Sequence, residues 1–401
     1  MKNALHLGFI MQGGSAWTGG AEYVKNLLRA TRAAAADEGC VLSATLFTGR
    51  PLEPVWRGQF SPLAEIVRLP QLPRRLNRWL RFGNRTLARA IRAHGIDFLF
   101  PLTYENTSTI GLHFPIAPSL AATRWAGWIP DFQHRHLPQL FRDADLRLRD
   151  EGITHLAAEA PAIVFSSETS ARDYREFWPA AKARPFVLHF CTVPDEDWFR
   201  GDPASVQKQH GLPDRFLLVS NQFWQHKSHA TVFAALGLLA QRGVFPHVAC
   251  TGGMEDYRGK AHVAKLRGQL ATLHIESQVS LLGLIPRSEQ VQLMRRCVAV
   301  VQPSLSEGWS TVVEDARLLG KPIVLSDLEV HREQDPPGAC FFARESAEEL
   351  AGAIADAWAS LPFGPDFSAE EKARATARKA VGEFGHRFLR FAKGGASGWE
   401  S

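Results

Sequence analysis

The chain has 401 residues, 45% of them hydrophobic and 22% charged, with a formal net charge of +5. This is an ordinary globular make-up, long enough for two domains that each bury a core, with no internal repeat or low-complexity tract. Cys40, Cys191, Cys250, Cys297 and Cys340 are scattered with no Cys-x-x-Cys pair, which argues against a disulfide framework or a zinc site and fits a reducing cytoplasm.

Met1-Lys-Asn-Ala-Leu passes directly into a first apolar run, 5–10, leaving no room for a signal peptide, and no apolar run reaches membrane-spanning length. Further strand-like runs at 42–48, 97–101, 124–129 and 162–166 alternate with helical patterns, the signature of a parallel sheet flanked by helices. After the first run comes Gly13-Gly14-Ser-Ala-Trp-Thr-Gly19-Gly20, then Ala21-Glu22 and a helix with apolar spacing at Tyr23, Leu27 and Leu28. Glycines before a helix allow positive φ and close backbone approach to a ligand, and the helix start favours a phosphate. The order of glycines does not reproduce the GxGxxG dinucleotide fingerprint.

Between Glu65 and Asp97 there is no acid, yet Arg68, Arg74, Arg75, Arg78, Arg81, Arg85, Arg89 and Arg92 fall there, interleaved with Trp79, Leu80 and Phe82. Such a segment docks on an anionic lipid surface, or is a soluble helix whose arginine stems cover apolar surface. No nucleic-acid motif accompanies the charge. Beyond the run at 124–129, Asp131, His134 and His136 crowd a strand's carboxyl end, without the further ligands that a metal site needs. Asp143-Ala-Asp145 has the DxD form of a metal-binding motif but lies in a charged, helical stretch with no strand before it, and reads as a solvated face.

A break at 189–203 separates the halves. Runs at 216–220, 246–251, 278–282, 298–303, 322–326 and 339–342 follow, and a long final pattern at 368–393 reads as a terminal helix. The most telling stretch is 298–327: an apolar run, Pro303, the loop Ser306-Glu307-Gly308-Trp309, a helix with Glu314 and Asp315 in its first turns, then Gly320-Lys321-Pro322 and another strand. Open α/β sheets bind ligands beyond the carboxyl ends of their strands, and a helix start offers N–H groups to a diphosphate. Thr311-Val-Val-Glu314 also fits a capping box, and neighbouring helix residues point about 100° apart, so Glu314 and Asp315 cannot both face one ligand group.

This stretch resembles the retaining glycosyltransferases of the GT-B fold, of the large family 4 (group 1) type, whose mark is a Glu, seven residues and a second Glu, closed by Gly-Lys-Pro. Here Glu307 is the first acid. The second position holds Asp315, with Glu314 one place early. The resemblance implies an α/β fold of two Rossmann-like, doubly wound parallel-sheet domains facing a cleft: 1–195 on the acceptor side, 196–375 binding the nucleotide sugar, and 376–401 as a helix returning to the first domain. Hinge motion would close that cleft against water.

The resemblance also implies roles. Glu307 positions the donor sugar, and Asp315 or Glu314 holds the ribose, the spacing favouring Asp315. Asn221-Gln222-Phe-Trp-Gln-His-Lys227 matches the loop that neutralises the donor diphosphate. Lys227 takes the lysine place, while Gln222 stands where the family has an arginine. Gly308, Trp309, Ser310 and Thr311 lend N–H groups to the diphosphate, and Gly19 and Gly20 approach it from the first domain. Gly252 and Ile285 lie in loops that wrap the base. His134 faces the transferred sugar and acceptor, with Asp131 orienting it or contacting the acceptor. No metal or cofactor is expected. The implied reaction is retaining transfer of a hexose or deoxyhexose from a UDP- or GDP-type donor to a glycan or lipid-linked glycan in cell-surface polysaccharide or lipopolysaccharide synthesis, by a cytoplasmic protein with peripheral contact to the membrane through 68–92. The alternatives are a catalytically silent glycan-binding relative and a nucleotide-sugar epimerase.

Overall fold

A computed structural model of the protein describes residues 4–15, 17–256 and 261–394, the side chains of 107 and 108 excepted. The missing-leader reading at Met1 falls outside these residues, as do 395–401 of the expected terminal segment. The chain forms two compact units. The first comprises 1–135, 142–193 and 379–401, and the second comprises 136–141 and 194–378.

The first unit holds a seven-stranded parallel sheet of β1 (Ala4–Ile10), β2 (Val41–Thr48), β3 (Glu65–Arg68), β4 (Phe98–Leu102), β5 (Arg124–Trp128), β6 (Ala162–Phe165) and β7 (Arg184–Val187), in the order β3-β2-β1-β4-β5-β6-β7. The direction of winding reverses between β1 and β4. The two edge strands are not among the runs expected from sequence. Glu65-Ile-Val-Arg68 carries charge at both ends, and Arg184-Pro-Phe-Val187 carries a proline, both permitted only where one side of a strand lacks a ladder partner.

The second unit has β8 (Leu217–Ser220), β9 (Val248–Thr251), β10 (Val279–Gly283), β11 (Val300–Gln302), β12 (Ile323–Ser326) and β13 (Cys340–Phe342), in the order β10-β9-β8-β11-β12-β13, again all parallel. Alternate residues feed two cores: Leu217, Val219, Val301 and Val324 pack on one face, while Leu218, Val300, Ile323 and Leu325 pack on the other. A sheet covered on both faces needs continuous apolar strands, which is why these runs were legible.

The last helix, Phe367–Lys393, begins in the second unit and ends in the first. In the first unit its aromatic stripe meets the sheet: Phe388 lies 5.2 Å from Phe100, and Phe391 stacks on Phe186 at 4.3 Å. Gly385 lets its backbone touch the helix Thr18–Asp37, since an added Cβ would stand 2.2 Å from the Ala30 carbonyl oxygen. The two Rossmann-like sheets and the returning helix are the architecture expected from sequence.

Candidate active site

In the second unit the winding reverses between β8 and β11, and the loops at their carboxyl ends carry the charged groups. After β8 the chain passes Asn221 and Gln222, makes a short turn at Gln225–Lys227, and enters the helix His229–Gln241. After β11 it passes Pro303 and Ser304 to Glu307 and the helix Thr311–Leu318. A backbone bond from Leu305 N–H to the His226 carbonyl (2.7 Å) fastens one loop to the other. Across this junction Lys227 Nζ meets Glu307 Oε1 at 2.5 Å, with the two side chains 14% and 9% exposed. Gln302 Nε2 donates to the same oxygen at 2.9 Å, and Asn221 Nδ2 donates to Gln302 Oε1 at 2.7 Å.

The loops after β9 and β10 are stitched to the same place. Phe223 N–H donates to Gly253 O (2.9 Å), and Gly252 N–H to Gly283 O (2.8 Å). Gly252 has φ +134, and a Cβ there would stand 2.1 Å from the Asn221 carbonyl oxygen, so only glycine lets the β8 and β9 loops close together. Gln222 lies over Gly253, its Oε1 2.8 Å from where a Cβ would be. Ile285, half-buried after β10, is packed against the core.

The two acids of the helix Thr311–Leu318 part company. Glu314 accepts a bond from Gln334 Nε2 (2.9 Å) and lies 3.7 Å from Arg317. Asp315, 2% exposed, pairs with Arg287 Nη2 at 2.5 Å, and that guanidinium lies 4.8 Å over the Trp198 ring. The capping box is displaced: Ser310 is the N-cap, Thr311 is the first helical residue, and the Ser310 side chain makes no cap bond. Gln334 does the capping, accepting from Ser310 N–H at 3.1 Å and donating to Ser310 O at 3.0 Å. The Ser310 N–H, expected to face a diphosphate, is therefore engaged within the unit. Gly308 is buried and Trp309 half-buried in the loop before it. Lys321 of Gly-Lys-Pro is structural, donating to the carbonyls of Cys297 (2.9 Å) and Gly364 (3.0 Å), and burial holds its pKa below the usual lysine range.

His331, fully buried, completes this end of the sheet. Its Nδ1 lies 2.8 Å from the Ser326 carbonyl, which accepts only from a protonated nitrogen, so in the neutral ring Nε2 bears the lone pair. Burial pushes its pKa down, with Lys227 adding to the fall and Glu307 opposing it.

In the first unit the helix begins at Thr18, so Gly19 and Gly20 sit in its first turn rather than before it. The positive φ values fall instead on Gly13 (+66) and Gly14 (+151). The absent side chain of Gly20 accommodates Trp17, whose ring would stand 2.8 Å from an added Cβ. Trp17 stacks on Trp128 (5.9 Å), and Trp128 on Tyr23 (4.3 Å), beside the reversal point of this sheet.

His134, 1% exposed, follows β5, but the carboxylate on its Nε2 is Asp150, at 3.0 Å. Asp131 accepts instead from the backbone N–H of Gln133 (3.0 Å). Burial lowers the His134 pKa, and the Asp150 bond opposes that fall. Asp150 lies in the helix Asp143–Glu159, so the charged stretch read as solvated carries a residue that orients His134. The Asp143-Ala-Asp145 element opens that helix, with Asp145 paired to Arg142 at 2.8 Å. Among the described residues no group of three or more His, Cys, Asp or Glu is placed to hold a metal, and no helix is long and apolar enough to cross a membrane. None of the five cysteines forms a disulfide.

Two doubly wound parallel sheets, with charged loops at the second reversal point and a terminal helix shared between the units, define the GT-B class of glycosyltransferases. Residues 203–375, nearly the whole of the second unit, match the model of the family described as glycosyl transferases group 1, so the second unit is a group 1 glycosyltransferase domain, the kind that transfers sugar from a nucleotide sugar. Solved structures share the fold along almost the full chain. Anabaena Alr3699/HepE in complex with UDP and glucose has a TM-score of 0.70 and 18% identity, over 97% of this chain and 99% of that one. Sucrose-phosphate synthase from Thermosynechococcus elongatus has 0.68 and 17%, over 95% and 94%. WaaG, a glycosyltransferase involved in lipopolysaccharide biosynthesis, has 0.64 and 13%, over 97% and 100%. No curated protein sequence matches the chain at a significant level.

Asn221's link to Gln302, and the roles of Arg287, Gln334, His331 and Asp150, escape a reading of the sequence. One signal was available: Gln302 is a polar residue ending an otherwise apolar strand, and such a group, once buried, must be hydrogen-bonded.

Proposed function

We propose that the protein retains anomeric configuration while moving a hexose or deoxyhexose from a UDP- or GDP-type donor to a glycan or lipid-linked glycan in cell-surface polysaccharide synthesis, without a metal ion. The observation that carries this reading is the Lys227–Glu307 pair at the reversal point of the group 1 domain, where a diphosphate finds a cation and a sugar finds a carboxylate within one contact. The UDP-glucose complex of the Anabaena protein supports a UDP-type donor.

Lys227, with Gln222 as a neutral hydrogen-bond donor, stabilises the departing diphosphate. Glu307 holds a hydroxyl of the donor sugar. Asp315 takes the ribose together with Arg287, because Glu314 is committed to Gln334. Gly252 and Ile285 border the base, and His134, oriented by Asp150, serves the acceptor with Asp131. Same-face attack assisted by the leaving phosphate fits a site in which no carboxylate is assigned as nucleophile.

The exposed face of the helix Arg74–Leu80 supports peripheral binding to anionic lipid on the inner face of the membrane. Trp79 is 80% exposed and Leu76 44%, among exposed Arg74, Arg75 and Arg78.

Thermal denaturation with UDP, GDP, ADP and dTDP and their sugar conjugates, with and without EDTA, tests the donor reading. Stabilisation by one nucleotide class, unmoved by EDTA, is expected, since a ligand of the native state raises its melting temperature. No shift with any of them would sink it. The anomer formed from that donor, followed by proton NMR, tests retention.

A further inference from the structure

Gln302 is completely buried, and its carboxamide bridges the two loops that carry Lys227 and Glu307. The amide's orientation follows from its neighbours. One end faces the Glu307 carboxylate at 2.9 Å, which only an N–H group tolerates, so Nε2 lies there and Oε1 receives Asn221 Nδ2 at 2.7 Å. The same Nε2 meets the hydroxyls of Ser310 (3.0 Å) and Ser304 (3.2 Å), so the shortest of its three contacts goes to the carboxylate. Lys227 and Gln302 both land on Oε1 of Glu307, which leaves Oε2 to face a ligand.

The two holders differ in kind. Lys227 sits on a flexible four-carbon stem, and an arriving diphosphate competes for it. Gln302 is anchored in a strand by Asn221 and is out of a ligand's reach.

From this geometry we propose that Gln302, braced by Asn221, is the positioning residue of Glu307: it keeps the carboxylate aimed, with Oε2 presented to the donor sugar, while Lys227 turns to the diphosphate. The proposal rests on the reading of Glu307 as the donor-sugar contact. It acts on the sugar and not on the nucleotide, so the two affinities separate.

The test uses the full chain carrying Gln302→Leu or Gln302→Glu, each checked for folding by thermal denaturation. The probes are UDP, GDP, ADP and dTDP, and whichever of their sugar conjugates the unmodified protein turns over fastest. For Gln302→Leu, affinity for the bare nucleoside diphosphate stays within about threefold, while turnover of the sugar conjugate falls at least about tenfold, the scale of a misplaced group. In Gln302→Glu, two carboxyl groups stand side by side and share a proton at low pH, when the protonated one donates the bond that Gln302 made. Its turnover relative to the unmodified protein therefore rises about tenfold from pH 8 to pH 5.5.

A flat ratio across pH, or equal losses of nucleotide and nucleotide-sugar affinity, overturns the proposal. Turnover of no conjugate by the unmodified protein counts against the donor reading instead. Crystal structures of Gln302→Leu and the unmodified protein then decide the positioning claim: Glu307 unmoved refutes it, and Glu307 swung away supports it.

Discussion

Lys227 and Glu307 neutralise each other across a 2.5 Å contact, so removing either releases the other. Lys227→Met leaves the carboxylate without its cation where a diphosphate must bind, and nucleoside diphosphate affinity should fall by at least about tenfold, roughly what one lost charge-assisted bond costs. Glu307→Gln frees the lysine, so nucleotide affinity should hold or rise while turnover falls at least about tenfold. Calorimetric titration with UDP and GDP, alongside turnover, checks both; equal affinity losses in the two variants would refute the assignment.

His229 presents a different residue-level case. It is fully buried, stacks on Phe223 at 4.2 Å, and neither ring nitrogen has a hydrogen-bond partner. Burial, helped by His262 and Lys227, pushes its pKa from 6.5 down to about 3. The unfolded chain therefore binds a proton that the folded chain refuses between those values, and stability falls as pH drops below about 6.5. Phenylalanine fills the same stack and does not titrate. His229→Phe should raise the melting temperature more at pH 5.5 than at pH 8, by the equivalent of about 1 kcal/mol, and an equal gain at both pH values would show that His229 is not an acid-sensitive site.

At the scale of single elements, the helix Arg74–Leu80 shows how one segment divides its arginines. Arg81, just past its end at φ +48, donates to the carbonyls of His113 and Pro115 and is spent within the fold. Arg74, Arg75 and Arg78 stay exposed around Trp79 and Leu76, and Arg78, Arg81 and Arg74 lie near enough to His113 to oppose its protonation, second to burial. A charged face of this kind should bind vesicles containing anionic phospholipid and release them at high salt. Trp79→Ala and Leu76→Ser together should weaken cosedimentation at least about fivefold, since each removes apolar surface from the interface. Equal pelleting of neutral and anionic vesicles would count against the lipid reading. The helix Thr311–Leu318 makes the complementary point. Its start is organised by Gln334, a residue 24 positions from Ser310, rather than by a local box.

Across the molecule, the long segment of the second unit starts at Pro194 and ends at Arg378, and Arg295 ties down the stretches near both of its ends. Its guanidinium, 1% exposed, forms a two-pronged pair with Glu370 of the last helix at 2.7 and 3.0 Å, and donates to the carbonyls of Trp198 and Gly201 near the entry. Removing one partner of a buried pair strands the other, so Glu370→Ala should destabilise the protein by about 3–5 kcal/mol. Chemical denaturation would read that loss, and a loss below 1 kcal/mol would mean that water replaces the carboxylate.

Much of this was written in the order of residues. Continuous apolar runs declare strands that are buried on both faces, and the loops at their ends carry Glu307, Lys227 and His134, so the fold and the sites of charge were both legible. The edge strands Glu65–Arg68 and Arg184–Val187 were not, because an edge strand need not be apolar. Nor could periodicity pair residues across space: Lys227 and Glu307 are 80 positions apart, Gln302 and Asn221 81, and Asp315 and Arg287 28. The sequence by itself determined which elements form and where chemistry gathers, since local burial dictates residue type. Only the tertiary structure decided that Asp150 rather than Asp131 bonds to His134, and that Gln334 caps the helix, because hydrogen bonds are short-range and their partners are chosen by packing.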